Sequence, residues 1–437
     1  MGKDEKPKKG LELRAPRGME DVLPHQWRLW RRLEEVAREI FELSGYHEVR
    51  TPIFEDTRLF VRGIGDATDI VEKEMYTFAG GEDSSITLRP ENTAGVMRAY
   101  VEYELYKTQK FQKFYYIGPQ FRKERPQAGR LRQFHQMGIE AVGSMDPLVD
   151  VETITVATQV YDRLCLVDYE IKMNTIGCEM CRPPYRKTLK EELTQYKKGL
   201  CKPCLTRMER NVFRVLDCKE EGCRDITHKM PVIYDFLCEE CKDHFEVVKE
   251  ALSDTGIQYD LDPFLVRGLD YYTKTVYEVI LPSLGARSAI CAGGRYDNLI
   301  SEIGGPPTGA VGFAMGMESS MLALEKVYQE KVPIDEGEPP TQIYLVSIGD
   351  DTHKECFKIA RRLRSQGLSC DLDYEGRSPK AQMRTANKRG AKRVIVIGPE
   401  ELAQGLVKLK DMETGKEKLL TKDQVVVYSQ MDVGNWD

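Results

Sequence analysis

No run of eighteen consecutive apolar residues occurs anywhere in the 437 residues, which argues against a membrane-spanning helix. A surplus of positive charge is missing too: 64 Lys and Arg stand against 70 Asp and Glu, a formal net charge of −6. A protein that coats polyanions unselectively is basic overall, so any nucleic-acid contact here has to come from local patches. Residues 1–15 hold no apolar core of the kind an export signal needs, and read as a charged, solvated tail. A cytoplasmic location is the expectation. The 12 cysteines are sparse for so long a chain, unlike the dense disulfide frameworks of short secreted domains. Disorder on a large scale is excluded by a hydrophobic fraction of 41% against 31% charged residues.

What is present is uneven. Apolar residues at helical spacing (Leu29, Trp30, Leu33, Val36, Ala37, Ile40, Phe41) predict a helix over 24–44, ended by Gly45. Strands are predicted over 46–54, 85–88, 111–118 and 133–141, with long helices over 92–106 and 150–166. Strands in close succession with helices outside them imply an α+β fold on an antiparallel sheet, over 16–173. Residues 174–258 carry eight cysteines as Cys178-x2-Cys181, Cys201-x2-Cys204, Cys218-x4-Cys223 and Cys238-x2-Cys241, and read as an inserted, mainly helical module. Sheet-like sequence returns over 259–331, at 265–281 and 287–293, with a glycine-punctuated strand and helix at 310–326. A Pro- and Glu-rich linker, 332–340, precedes an alternating strand–helix pattern over 341–437, which implies a mostly parallel sheet covered by helices.

Three segments carry groups suited to binding a ligand. Between Lys107 and Arg132 stand eight basic residues and one acidic one, concentrated in a loop between two strands. Guanidinium groups match phosphate oxygens two at a time, so this hairpin suits a triphosphate or an RNA backbone, or is simply a solvated basic loop. Arg267-Gly268-Leu269-Asp270-Tyr271-Tyr272 would put a cation and two phenols in one pocket, unless the tyrosines are ordinary core residues. Ala292-Gly293-Gly294-Arg295-Tyr296-Asp297 offers glycines that let a ligand approach the backbone, or a tight turn.

In this order the segments resemble the histidyl-tRNA synthetases, which are class II aminoacyl-tRNA synthetases, from about Pro16 onward. Thr51-Pro52 falls where the class has the proline of its dimer-interface motif, and Phe121-Arg122-x-Glu124-Arg125 matches its second motif. The Arg267 and Arg295 segments match the two histidine-specific signatures. The resemblance implies a class II antiparallel catalytic sheet, a C-terminal α/β anticodon-binding domain and a homodimer with no membrane association. It implies activation of histidine by ATP, with Mg2+, to histidyl-adenylate and pyrophosphate, and transfer to tRNA(His). By position, Arg122 and Arg267 would act at the α-phosphate, with Glu124 and Arg130 also in the ATP site. Glu91, Thr93 and Gln136 would meet the α-amino group of histidine. Glu140 and Tyr272, with Tyr271 and Tyr296 closing the pocket, would meet its imidazole. Arg125 and Gln127 would read the extra guanine at the 5′ end of the tRNA. The twelve basic against five acidic residues between Asp351 and Arg393 would face RNA.

Two features depart from or exceed the family pattern. Its third motif ends Gly-x-Glu-Arg, whereas this chain has Gly316-Met317-Glu318-Ser319. A lost guanidinium removes contacts worth roughly 1.5–3 kcal/mol each, which Arg130, or a Lys or Arg from elsewhere, would have to replace. That serine also keeps open a synthetase-like sensor that binds tRNA without charging it; the other silent paralogue, a regulatory subunit of histidine biosynthesis, is argued against by the presence of Arg267, Arg130, Glu91 and the domain after the linker. The family does not generally require the eight cysteines. They suit one four-thiolate zinc site with four thiols spare, two such sites, or none. His228, His244 and His353 read as surface histidines rather than ligands. Ser319→Arg is predicted to lower or leave unchanged the Michaelis constant for ATP; a large increase would mean that the pocket is built around the serine.

Overall fold

The structure, a computed structural model, describes residues 13–65, 68–81, 84–126, 129–287, 289–331, 342–432, 434 and 436. The expected linker and most of the expected tail lie outside the described residues, as does Gln127. The described residues divide into two compact units, the second taking in those from 342 onward.

The first unit opens with the helix Pro24–Leu43, which buries Leu29, Trp30, Leu33, Val36, Ala37 and Phe41. Gly45 ends it at φ 80°, where a side chain would be strained. The strands that follow are β1 (His47–Glu48), β2 (Phe54–Asp56), β3 (Tyr76–Ala79), β4 (Ser85–Leu88), β5 (Gln112–Phe121) and β6 (Gln133–Val142). After them come β7 (Glu170–Thr175), β8 (Asp260–Leu261), β9 (Thr273–Ile280), β10 (Ala289–Arg295) and β11 (Ala310–Gly316). An eight-stranded sheet has the order β1-β5-β6-β11-β10-β9-β7-β8, and a small one the order β2-β4-β3. In the large sheet only the outermost pairs, β1 with β5 and β7 with β8, are parallel.

Alternation along the strands gives that sheet two unlike faces. Tyr115, Met137, Ile139, Val311, Phe313, Cys291, Tyr277 and Met173 point one way and are buried in the main core with the first helix. The other face repeats in register. One row runs Phe114, Glu140, Gly312, Gly294, Val276, Asn174, and the next runs Tyr116, Gly138, Ala314, Ala292, Glu278, Lys172. Glycine and alanine occupy the middle of both rows, so this face is depressed at its centre.

The sequence expectations need adjusting where local signals were thin. The strand predicted over 46–54 is broken: Thr51 and Pro52 fall between β1 and β2, where the Arg89 guanidinium donates to the carbonyls of Thr51 and Pro119 at 3.0 and 2.9 Å. The sheet-like stretch predicted over 265–281 is strand only from Thr273; the part before it is loop. His244 is a correction: it is 6% exposed, with Nε2 3.4 Å from Asp150.

The inserted module contains helices Arg182–Gln195, Lys202–Arg210 and Glu221–Thr227 around a core of Tyr185, Leu189, Leu193, Met208 and Val215. Its last helix, Glu239–Asp254, returns Phe245, Val248 and Leu252 to the main core. The second unit is a five-stranded sheet, β13-β12-β14-β15-β16, from β12 (Ile343–Ser347), β13 (Cys370–Leu372), β14 (Arg393–Ile397), β15 (Leu406–Asp411) and β16 (Glu417–Thr421). The first three are parallel, as alternation with helices predicts, and a hairpin extends them antiparallel.

Arg295, wholly buried, holds the back of the sheet. Its Nε donates to Asp150 at 3.0 Å, and its terminal nitrogens donate to the carbonyls of Ser144 and Asp146 at 2.9 and 3.0 Å. Both Arg295 and Asp150 have fully buried side chains, and removing one partner of such a pair strands the other charge. Arg295→Met should therefore cost about 3–5 kcal/mol of stability, read as a lower urea midpoint; a loss below about 1 kcal/mol would show that Asp150 is satisfied without it.

Candidate active site

The depressed face of the large sheet has one buried carboxylate at its centre. Glu140 on β6 is 1% exposed. It accepts from Thr93 Oγ1 at 2.6 Å and from the Tyr296 hydroxyl. Room for it comes from its neighbour: a Cβ at position 312 would lie 2.1 Å from Glu140 Oε2. Burial drives the Glu140 pKa up to about 8, partly offset by the Thr93 and Tyr296 hydrogen bonds, with nearby Glu91 raising it further. Around it Tyr271, Tyr272 and Tyr296 form a ring cluster, with centroids 4.7 Å apart for the first pair and 5.4 Å between Tyr271 and Tyr296.

Glu91 precedes the helix Thr93–Glu102 and caps it, accepting from the backbone N–H of Thr93 at 2.7 Å and of Ala94 at 3.0 Å. It too is buried, which raises its pKa, while those N–H groups and Arg122 pull the other way. Gln136 stands two residues before Gly138 on the same face as Glu140, and its Oε1 is buried with no hydrogen-bond partner. Such an acceptor is costly unless a ligand donates to it.

Two arginines flank this floor. Arg122 follows β5; its Nε donates to the Pro90 carbonyl at 2.9 Å and its guanidinium stacks on Phe134 at 5.1 Å. Arg267 lies in the loop before β9 and pairs with Glu278. Glu278 stands three strands from Glu140, about 14 Å at ordinary strand spacing. The space between them is floored by Gly312, Ala314, Ala292 and Gly294. Arg267 also lines a cavity of about 120 Å3 with Arg182, Arg186, Arg214 and Asp270. In the hairpin loop, Glu124 receives Arg130 Nε at 2.6 Å and has Arg122 at 3.9 Å, and Arg125 is exposed.

The residues singled out in the sequence thus divide. Glu91, Thr93, Glu140, Tyr271, Tyr272 and Tyr296 form one bonded and stacked cluster. Arg122, Glu124 and Arg130 form a second at the hairpin, and Arg267 stands apart on Glu278. Sequence reasoning missed Glu278, although strand alternation marks it as facing away from Tyr277 and Val279. It also missed the clamp by which Glu318 accepts from the His135 backbone N–H, at 2.9 and 3.0 Å; nothing local to either residue signals it.

The cysteines gather as two groups: Cys178, Cys181, Cys238 and Cys241, and Cys201, Cys204, Cys218 and Cys223. Within each group the four sulfurs lie within 4.8 Å of one another, so each offers the all-thiolate set that suits a tetrahedral metal ion.

Against known proteins, the family model described as histidyl-tRNA synthetase matches residues 18–178 and 208–319, and an anticodon-binding domain model matches 342–430. Residues 179–207, with Cys181, Cys201 and Cys204, lie outside the first match. The chain is 48% identical over 407 residues to the histidine–tRNA ligase of Desulfitobacterium hafniense, covering 93% of this chain and 95% of that one. It is 47% identical to that of Halothermothrix orenii, over 93% and 96%. The crystal structure of apo S. aureus histidyl-tRNA synthetase superposes with a TM-score of 0.78 at 36% identity, covering 96% of this chain and 100% of that one.

A raised carboxyl pKa has a consequence for stability. Glu140 is protonated in both folded and unfolded chains below about pH 4.3, and in the folded chain alone up to about 8. Its contribution is therefore complete below the lower value and lost as pH rises through the upper one. Wild-type stability should decline across that window, and Glu140→Gln should flatten the decline; parallel pH profiles for the two would show that Glu140 is already ionised in the fold.

Proposed function

The chain belongs to the histidyl-tRNA synthetase family, and from that premise we propose how its residues divide the work. The enzyme is a histidine–tRNA ligase: histidine and ATP give histidyl-adenylate and pyrophosphate, and the histidyl group then passes to the 3′ end of tRNA(His). The observation that carries the assignment of parts is the buried Glu140, held by Thr93 and Tyr296 on a floor of glycine and alanine between two arginines.

Imidazole offers one nitrogen that donates and one that accepts. Glu140 and the Tyr272 hydroxyl answer both, with Tyr271 and Tyr296 as walls; a Phe or Leu side chain would leave Glu140 buried and unanswered, which is the costly alternative. The α-ammonium group is met by Glu91, Thr93 and the unpartnered Gln136 Oε1. That leaves the histidine carboxylate directed along the floor toward the phosphate. As it attacks the α-phosphorus, negative charge grows on the equatorial oxygens, and positioned cations there supply most of the stabilisation. Arg122 serves from the hairpin side, and Arg267 from the other, exchanging Glu278 for a phosphate oxygen. ATP enters as its Mg2+ complex, with Glu124 and Arg130 at the triphosphate.

Arg125 and Gln127 read the 5′ end of the tRNA, the cysteine module covers the acceptor stem, and the second unit, where Arg361, Lys380, Arg384 and Lys388 are exposed, meets the anticodon arm. Two copies pair through the small sheet, whose Phe54, Phe78 and Ile86 are 39–47% exposed and form an apolar patch. The cysteine groups bind zinc. No helix among the described residues is long and apolar enough to cross a membrane, in keeping with a cytoplasmic enzyme.

Histidine-dependent exchange of pyrophosphate into ATP tests the reaction, and its absence at saturating substrate would leave only a silent paralogue. In the same assay Arg267→Ala should lower kcat by about 10²–10³-fold, as loss of a transition-state donor does, with little change in the histidine KM. The reverse pattern would assign Arg267 to binding instead.

A further inference from the structure

The eight thiols do not pair as they run along the chain. The first pair, Cys178 and Cys181, meets the last, Cys238 and Cys241; the two middle pairs meet each other. The Cys178 sulfur lies 3.6 Å from that of Cys181 and 3.9 Å from that of Cys238, and Cys201 lies 3.8 Å from Cys218. A tetrahedral ion with metal–sulfur bonds of about 2.3 Å has sulfur–sulfur edges of about 3.8 Å. A disulfide needs about 2.05 Å, and all eight cysteines are free. In both groups a backbone N–H from one pair donates to a sulfur of the opposing pair: Cys238 N to Cys181 Sγ and Cys201 N to Cys223 Sγ, each at 3.2 Å. Such donors offset the charge that four thiolates leave around a divalent ion.

The groups differ in what surrounds them. The outer one joins the two chain segments by which the module leaves and rejoins the catalytic sheet. Arg182, next to Cys181, donates to the backbone carbonyls of Tyr272 and Ile176. Lys274 N donates to the Gly177 carbonyl at 2.9 Å, and Lys274 Nζ reaches Glu240, next to Cys241, at 2.8 Å. The short stretch Tyr272–Lys274 is thus bonded from both sides of the outer group. The inner group lies within the module, where Cys204, Cys218 and Cys223 pack among Met208, Val215 and Leu216.

We propose that the chain holds two zinc ions in two nested tetrathiolate sites, and that the outer ion positions Tyr272 in the pocket wall whereas the inner one only folds the module. The positioning half rests on the reading of the pocket as the histidine site; the metal half does not.

Zinc counted by mass spectrometry on full-length protein purified without chelator should come to about two per chain, and to about one in either Cys204→Ser or Cys241→Ser. Co2+ added to the metal-stripped wild-type chain should give the visible bands of tetrahedral thiolate coordination and saturate at about two per chain, a measurement that needs no variant to fold. Zinc below about a tenth per chain without cobalt bands, saturation at one, or loss of both ions in either variant overturns the two-site arrangement. In pyrophosphate exchange, the histidine KM should rise about tenfold further for Cys241→Ser than for Cys204→Ser. If Cys241→Ser does not accumulate, Arg182→Gln, which keeps every thiol, should retain two zinc ions and show the same rise. Equal KM values overturn the positioning role. A wild-type chain with no exchange removes the pocket reading and the positioning role with it, while the metal counts stand.

Discussion

A carboxylate buried at the centre of a sheet and held by two hydroxyl groups is the constraint around which the site is built. Glu140 accepts from Thr93 and Tyr296, and neither donor carries a charge. Burial of an acid on such terms is unfavourable to its ionised form, which is why its pKa stands near 8. The arrangement makes sense for a ligand that brings a nitrogen capable of carrying the shared proton. Imidazole, with an ordinary pKa of about 6.5, is such a group. The same constraint dictates the glycines: with Gly312 replaced by anything larger, a side chain would stand where Glu140 now lies.

Fixing that carboxylate requires the neighbouring elements to be fixed first, and the buried charges at the back of the sheet accomplish this. Arg295 on β10 reaches Asp150, and His244, from the helix that ends the insertion, meets the same carboxylate. One residue beyond Arg295, Tyr296 reaches Glu140. The signature Arg295-Tyr296-Asp297 therefore combines two jobs on successive residues pointing to opposite faces: Arg295 secures the scaffold, and Tyr296 completes the pocket. This explains why the short motif is specific to a function although only its middle residue touches the pocket cluster.

How much of this could be read in the sequence depends on the range of the interaction. The first helix, β5, β6, β11 and the parallel part of the second unit follow from local periodicity, and all lie close to where it puts them. The stretch 46–54 looked like one strand because its residues suit strands; the break at Thr51 and Pro52 is stabilised by Arg89, more than thirty residues away. The loop before Thr273 looked sheet-like because Leu265, Val266, Tyr271 and Tyr272 are apolar or aromatic. Their burial serves a cluster and a cavity wall instead of a pleat. The hairpin β15–β16 follows a strand–helix pattern and has no precedent in it. Of the candidate site residues, those sharing a hydrogen bond or a ring contact were identifiable only through the family resemblance, since Thr93, Glu140 and Tyr296 are far apart along the chain. Cysteine spacing pointed to metal ligands but left the partners of each pair open, because two nested sites and one site with spare thiols have the same spacing.

The serine at position 319 bears on how the triphosphate is held. Glu318 beside it still accepts from the His135 backbone and ring, so the helix that follows β11 remains locked to β6, and the change is confined to one side chain. Above it the hairpin comes close: a Cβ on Gly129 would lie 3.6 Å from Ser319 Oγ and 3.0 Å from Leu322. A long side chain at 319 would therefore have to leave past this turn. Arg130, directly after Gly129, is 55% exposed and tied to Glu124. Its partner is not exposed: the Glu124 side chain is 9% exposed, so drawing Arg130 away leaves a largely buried carboxylate that has lost a charged partner. For Arg130 to stand in for the guanidinium missing from the helix, a bound triphosphate must therefore offset that loss, and Arg122, 3.9 Å from Glu124, is the cation left to hold the carboxylate.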